Sequence, residues 1–257
     1  MSTDQRLLTA ERETKILDLL RRHGLLAVAR IAAELGVSPA TIRRDLHSLQ
    51  ERKLLQRVRG GATVKNLARA EPLFQAKEAQ NAAAKERIAA RALERIDDHD
   101  ILYLDGGSTV LMLARLLAAK RDLTVVTNSL MAAAVLMAQP HRLILVGGEF
   151  RPLARTLVGP LTAPVIQSLH FHKAFMGTIG LTLEEGMSTT DPGEAFTKEQ
   201  AMNRANLVFL LADSSKLGVP SFARSGTLED LDVLITEAMG DEFRAALEER
   251  GVEVVLA

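Results

Sequence analysis

Apolar positions in the first 64 residues recur at helical spacing in three short blocks. Ile16, Leu19 and Leu20 share one face of Thr14 to His23, and Gly24 can end that helix. Val28, Ile31, Ala32 and Leu35 do the same from Ala27 to Leu35, and Ile42, Leu46 and Leu49 follow at i, i+4 and i+7. Ser38 can accept an orphan amide of a first helical turn, and Pro39 suits the first helical position. Gly36-Val37 is then the turn between two helices. Leu54 to Arg59 reads as a strand, Gly60-Gly61 as a hairpin turn and Ala62 to Val64 as the return strand. Together these predict a winged helix-turn-helix over residues 1–64.

The pattern then changes. Residues 65–76 are polar and weakly patterned and read as a linker, leaving 77–257 for a larger domain. Ile88, Ala89, Ala92, Leu93 and Ile96 mark a helix beginning near Lys85. Seven short apolar runs follow: Ile101–Leu104, Leu123–Val126, Leu143–Val146, Ala174–Met176, Leu207–Leu211, Val233–Ile235 and Val252–Val255. Helical stretches separate most of them, which predicts an α/β domain with a mostly parallel sheet covered on both faces.

Chemistry enters with the polar faces. At 100° per residue, burial of Ile42, Leu46 and Leu49 turns Ala40, Arg44 and His47 outward, with Arg43 and Ser48 flanking. A small residue, a guanidinium and an imidazole near a helix N-terminus suit entry into the DNA major groove. Ser38, Ala40, Thr41, Arg43, Arg44, His47, Arg57 and Arg59 are the candidate DNA-binding residues, the last two on the wing facing phosphates. The chain balances at 32 basic and 32 acidic residues, but residues 1–70 hold 14 Lys/Arg against 7 Asp/Glu, or +7, leaving −7 for the rest. A basic head on an acidic body fits double-stranded DNA as one partner. The alternative is a solvated helical hairpin whose arginines are neutralised by nearby carboxylates.

In a parallel sheet, the turns after the strands share one edge, where ligands of open α/β folds bind. Here those turns are Asp105-Gly106-Gly107-Ser108-Thr109, Thr127-Asn128-Ser129, Gly147-Gly148, Gly177 to Gly180 and Asp213 to Lys216. Two glycines before a helix start permit close approach to its free amides, and hydroxyls and Lys216 add donors for phosphate oxygens. Taken singly, each turn is also ordinary cap or Asx-turn chemistry. His170 and His172 read as surface or interface residues, not metal ligands, and Met131, Met137 and Met176 as core. No GxGxxG or P-loop motif is present, which argues against dinucleotide and nucleoside-triphosphate binding. The chain has no cysteine, so disulfides and cysteine-based zinc sites are excluded. No run of 18 apolar residues and no signal-peptide pattern occurs, so a cytoplasmic protein with no membrane partner is expected.

The run Thr41-Ile42-Arg43-Arg44-Asp45-Leu46, with Val37-Ser38 before it and Arg59-Gly60-Gly61-Ala62 after it, resembles the winged helix-turn-helix of the DeoR family of bacterial regulators. Lys85, the five turns and Phe175 to Gly180 are similar to that family's effector domain, whose fold resembles ribose-5-phosphate isomerase. Lys53 departs from a usual glycine, Gly106 from a frequent serine, and Glu237 from a usual aspartate. The resemblance implies a transcription regulator, mostly a repressor in this family, relieved by a sugar phosphate or related metabolite. The candidate ligand-binding residues are Asp105, Gly106, Gly107, Ser108, Thr109, Thr127, Asn128, Gly147, Gly148, Gly177, Glu194, Lys198 and Lys216. No catalytic residue, metal or cofactor is expected. A homo-oligomer, dimer or tetramer, is expected because paired half-sites multiply the specificity of a small reading head.

The alternative is a sugar-phosphate isomerase carrying a DNA-binding head. That chemistry needs a positioned carboxylate base. Similar isomerases carry closely spaced acidic residues just after the fourth strand, where this chain has Gly177-Thr178-Ile179-Gly180-Leu181-Thr182 and no acid before Glu184-Glu185. Glu194 and Lys198, four apart, read otherwise as a helical surface ion pair worth about 0.2–0.5 kcal/mol. A purely architectural DNA binder leaves five polar turns on one sheet edge unexplained.

Overall fold

The computed structural model describes residues 9–23, 25–52, 54–58, 61–63 and 71–257. The chain divides into two compact units, Met1–Ala70 and Glu71–Ala257.

The first unit contains α1 (Thr9–His23), β1 (Leu25–Ala27), α2 (Val28–Leu35), α3 (Pro39–Glu51), β2 (Gln56–Val58) and β3 (Gly61–Thr63). Ile16, Leu20, Ile31, Ile42, Leu46 and Leu49 are fully buried in one core, so the expected helical stripes are its packing faces. Gly36 ends α2 at φ 64°, a left-handed conformation that glycine adopts without Cβ strain. The next turn delivers Ser38, whose Oγ accepts the Thr41 amide at 3.1 Å and starts α3. Asp45 of α3 is buried and accepts Arg12 Nε and Nη2 at 2.5 and 2.9 Å, which pins α1 to α3. The wing has three strands instead of two. β3 pairs antiparallel with both β2 and β1, and β1 is too short to show a period. Lys53, Arg59 and Gly60 lie outside the described residues.

The second unit begins with α4 (Phe74–Ala79) and α5 (Ala82–Leu93). Then come β4 (Ile101–Leu104), α6 (Ser108–Leu116), β5 (Thr124–Thr127), α7 (Leu130–Leu136), β6 (Arg142–Leu145), β7 (Glu149–Arg151) and β8 (Thr156–Val158). The chain continues with α8 (Ala163–Gln167), β9 (Phe171–Met176), β10 (Gly180–Thr182), β11 (Gly186–Thr189) and α9 (Pro192–Met202). It closes with β12 (Ala205–Leu211), β13 (Ala223–Gly226), β14 (Val233–Thr236), α10 (Asp241–Glu248) and β15 (Glu253–Leu256).

All seven expected apolar runs are strands of one parallel sheet, ordered β15-β14-β12-β9-β4-β5-β6. Alternate residues feed two cores. Leu102, Leu104, Val125 and Phe175 pack with α5, α6 and α7, whereas Tyr103, Val126, Ala174 and Met176 pack with Ile166, Ala201 and Leu247 on the other face. Strand order reverses between β4 and β9, so their carboxyl ends open the crevice where such sheets bind ligands. Two smaller antiparallel sheets, β7-β8 and β10-β11-β13, were not legible as strands.

Two expectations need correction here. Residues 71–76 are not linker: Glu71 and Phe74 are buried in the second unit, and Phe74 opens α4. Met137 is not core; it caps the end of α7 and is 73% exposed.

Candidate functional site

On α3, the buried stripe of Ile42, Leu46 and Leu49 leaves Ala40, Arg43, Arg44 and His47 facing solvent. Neither Arg43 nor Arg44 has a side-chain partner among the described residues, whereas Arg12, Arg30 and Arg52 of the same unit pair with Asp45, Glu34 and Glu13. His47 Nε2 lies 3.5 Å from Glu51, one turn on. Ser38 and Thr41 share a 2.8 Å hydroxyl–hydroxyl bond within the cap. Arg57 is exposed on β2, and Arg59 lies outside the described residues.

The second unit carries a cleft of about 590 Å³, counting its open mouth, at the carboxyl ends of β4 and β9. Gly106, Gly107, Ser108 and Thr109 form one wall, with the first turn of α6 directed at the space. Gly177, Thr178 and Ile179 form the opposite wall. The two turns approach closely: a Cβ on Gly177 would sit 3.2 Å from the Gly106 carbonyl. A Cβ on Gly106 would meet Thr156 Cγ2 at 2.1 Å, so Thr156 would have to move before serine could stand there.

Four lysines line this cleft: Lys77, Lys85, Lys198 and Lys216. Lys85 donates to the backbone carbonyls of Lys77 and, at 2.5 Å, Gln80; burial lowers its pKa although Asp213 opposes the shift. Asp213 is held by Asn81 Nδ2 at 2.8 Å and by Ser215. Burial raises its pKa, but those bonds and Lys216 and Lys85 outweigh it, so the carboxyl stays below its usual range. The Lys216 amide donates to the Asp213 carbonyl at 3.0 Å, but its ammonium has no hydrogen-bond or ion-pair partner among the described residues. It is the cation most available to an incoming anion.

Behind the cleft runs a chain of alternating charges: Lys77, Glu71, Arg151, Glu194, Lys198 and Asp105. Arg151 reaches Glu71 at 2.6 Å and Glu194 at 2.9 Å, while Glu194 lies 3.5 Å from Lys198. Lys198 also contacts Asp105 and donates to the Gly177 carbonyl at 2.9 Å. No side chain in this chain is more than 12% exposed, so each charge depends on its neighbours instead of water. Burial pulls the Lys198 pKa down, but Asp105 and Glu194 more than compensate and raise it. Burial, with Asp105 and Glu71 nearby, raises the Glu194 pKa against the pull of Lys198 and Arg151. Burial would raise Glu71 too, yet Arg151, Lys77 and Thr190 hold it at about 2.

Eight of the thirteen expected ligand residues line the cleft: Gly106, Gly107, Ser108, Thr109, Gly177, Glu194, Lys198 and Lys216. The other five do not. Asp105 lies beneath the wall, accepting the Gly177 amide at 2.9 Å. Thr127 Oγ1 donates to the Leu104 carbonyl at 2.7 Å, and Asn128 Nδ2 to the Leu157 carbonyl at 3.1 Å, so both fasten strands together. Gly148 packs against Val158 and Thr162, and Gly147 beside it is likewise off the cleft. Glu194 and Lys198 are not a surface pair: they are 6% and 2% exposed. Lys85, Thr178, Ile179 and Asp213 also line it, from segments singled out in the sequence but outside the thirteen. Lys77, Gln80 and Ala154 were missed altogether, because α4 is too short for a period and a β7–β8 turn has no polar signature. No group of His, Asp and Glu suited to a metal occurs among the described residues.

The DeoR C terminal sensor domain matches residues 80–238, and the DeoR-like helix-turn-helix domain matches residues 12–67. The chain belongs to the DeoR family. The HTH-type transcriptional regulator GlpR of Haloferax volcanii is 36% identical over 97% of this chain and 98% of its own. The lactose phosphotransferase system repressor of Streptococcus mutans is 33% identical, covering 90% of this chain and 93% of its own. The repressor GlcR of Bacillus subtilis is also 33% identical, over 96% and 95%. Among solved structures, ribose 5-phosphate isomerase A of Methanocaldococcus jannaschii aligns with TM-score 0.41 and 18% identity, over 54% of this chain and 55% of its own. This DeoR-family chain is therefore a DNA-binding transcriptional regulator with a sensor domain for a small molecule, not an isomerase. No helix among its described residues is long and apolar enough to cross a membrane.

Proposed function

We propose that this regulator represses a carbohydrate-catabolic operon and is released from its operator by a phosphorylated sugar. The observation that carries this reading is the cleft at the strand-order reversal. Its helix N-terminus and the Lys216 ammonium suit a phosphate, and Glu194, Thr178 and Ser108 suit hydroxyls. Relatives named as a lactose phosphotransferase system repressor and an aga operon repressor support the carbohydrate context. In this reading Ala40, Arg44 and His47 meet base edges, and Thr41, Arg43, Arg57 and Arg59 meet phosphates, with Ser38 holding the helix start. Two or more copies bind paired half-sites.

Thermal unfolding of the full chain against pentose and hexose monophosphates, each beside its parent sugar, tests the sensor reading. One phosphate at about 100 times its Kd is expected to raise the melting temperature by several degrees, and its parent sugar to leave it unchanged. Equal shifts with phosphate and parent, or no shift across the panel, contradict it.

A further inference from the structure

Glu71 is the first residue of the second unit, at the covalent junction with the DNA-binding unit. Its carboxylate is completely buried and is neutralised by two cations, Lys77 and Arg151, with the Thr190 hydroxyl as a third partner. Lys77 also stands on the cleft wall. The rest of that wall segment is tied to the same place. Lys85 holds the end of α4 through the Lys77 and Gln80 carbonyls, and buried Phe74 lies under the Arg155 guanidinium, 5.8 Å from its ring centroid. Arg151 and Arg155 both come from the β7–β8 ribbon, whose turn contributes Ala154 to the cleft. The opening segment of the second unit, residues 71–80, thus also contributes to a wall of the cleft.

We propose that Glu71 is the coupling residue of this sensor. An anion in the cleft draws Lys77 away from Glu71, and the loosened junction segment carries the signal toward the DNA-binding unit. The idea rests on the effector reading above. A single ammonium cannot hold the buried carboxylate and an entering phosphate with full strength at once. Occupancy therefore favours the arrangement in which Glu71 has lost a partner, and that differential affinity is what coupling requires. Lys216 and the α6 amides face the cleft without touching Glu71, so Lys77 alone belongs to both binding and coupling.

The test uses the full-length protein and a labelled duplex selected from random DNA, with the same panel of pentose and hexose monophosphates. In the wild type, the phosphate that raises the melting temperature is expected to weaken duplex binding by about 5- to 150-fold. Glu71→Gln keeps the side-chain volume and frees Lys77. It should bind that phosphate at least as tightly while changing its duplex Kd less than twofold. An undiminished response in Glu71→Gln overturns the proposal. If Glu71→Gln does not fold, Thr190→Val removes one bond to the carboxylate and one from Arg151, and no group of the cleft wall. It should blunt the response, and an unaltered response there overturns the proposal equally. A melting shift with no change in duplex binding by the wild type refutes the coupling alone. No melting shift with any phosphate refutes the effector reading and the coupling with it.

Discussion

Replacing Lys198 by Met is expected to cost about 3–5 kcal/mol of stability, the largest effect of any single change considered. Methionine matches the length of the stem but leaves Asp105 and Glu194 buried without their shared cation. Asp105 then keeps only the Gly177 amide on Oδ2, because its Oδ1 has no partner among the described residues. The loss depends on pH, and its sign follows from burial. Burial already raises the Glu194 pKa, and losing Lys198 removes the largest influence that lowers it, so in the variant Glu194 takes a proton on folding. The penalty is small near the ordinary Glu value of 4.5 and grows as pH rises above it. Denaturant melts of wild type and Lys198→Met at about pH 5 and pH 8 check this. A penalty that is absent, or that shrinks toward pH 8, means that the charge chain does not hold the two cleft walls together.

Arg44→Ala is expected to weaken binding to a selected duplex by about 1–3 kcal/mol and to relax preference at one base position. Arg44 is exposed on α3, has no side-chain partner among the described residues, and is not part of the core, so folding should be unaffected. Repeating the selection with the variant separates two roles for this guanidinium. A base contact loses specificity at one position. A phosphate contact instead loses affinity for all sequences alike and lowers the salt dependence. An unchanged preference profile contradicts the base-reading role of Arg44.

The main sheet was legible because each of its strands holds a short apolar run that must be buried on both faces. β1, β7 and β8 hold three residues each, too few to alternate, and they gain their partners only in the fold. The site divided in the same way. Turns after β4 and β9 could be read because glycine and hydroxyl residues cluster locally after apolar runs. The turns after β5 and β6 carry the same local chemistry, yet Thr127 and Asn128 spend it on strand-to-strand bonds. Arg151 and Glu71 are 80 residues apart and sit in weakly patterned sequence, so nothing local joins them. The spacing of Glu194 and Lys198 showed a pair, but whether that pair was wet or buried depended on α9 packing beside β8 and β13.

The measurement that bears most directly on the whole account is titration of the full-length protein, bound to its selected duplex, with one sugar phosphate and its parent sugar. Release of the duplex by the phosphate at concentrations that leave the parent sugar without effect is the predicted result. A complex that holds its duplex unchanged through saturation of the cleft with every phosphate that binds would contradict it, because sensing and DNA binding would then be unconnected in this chain.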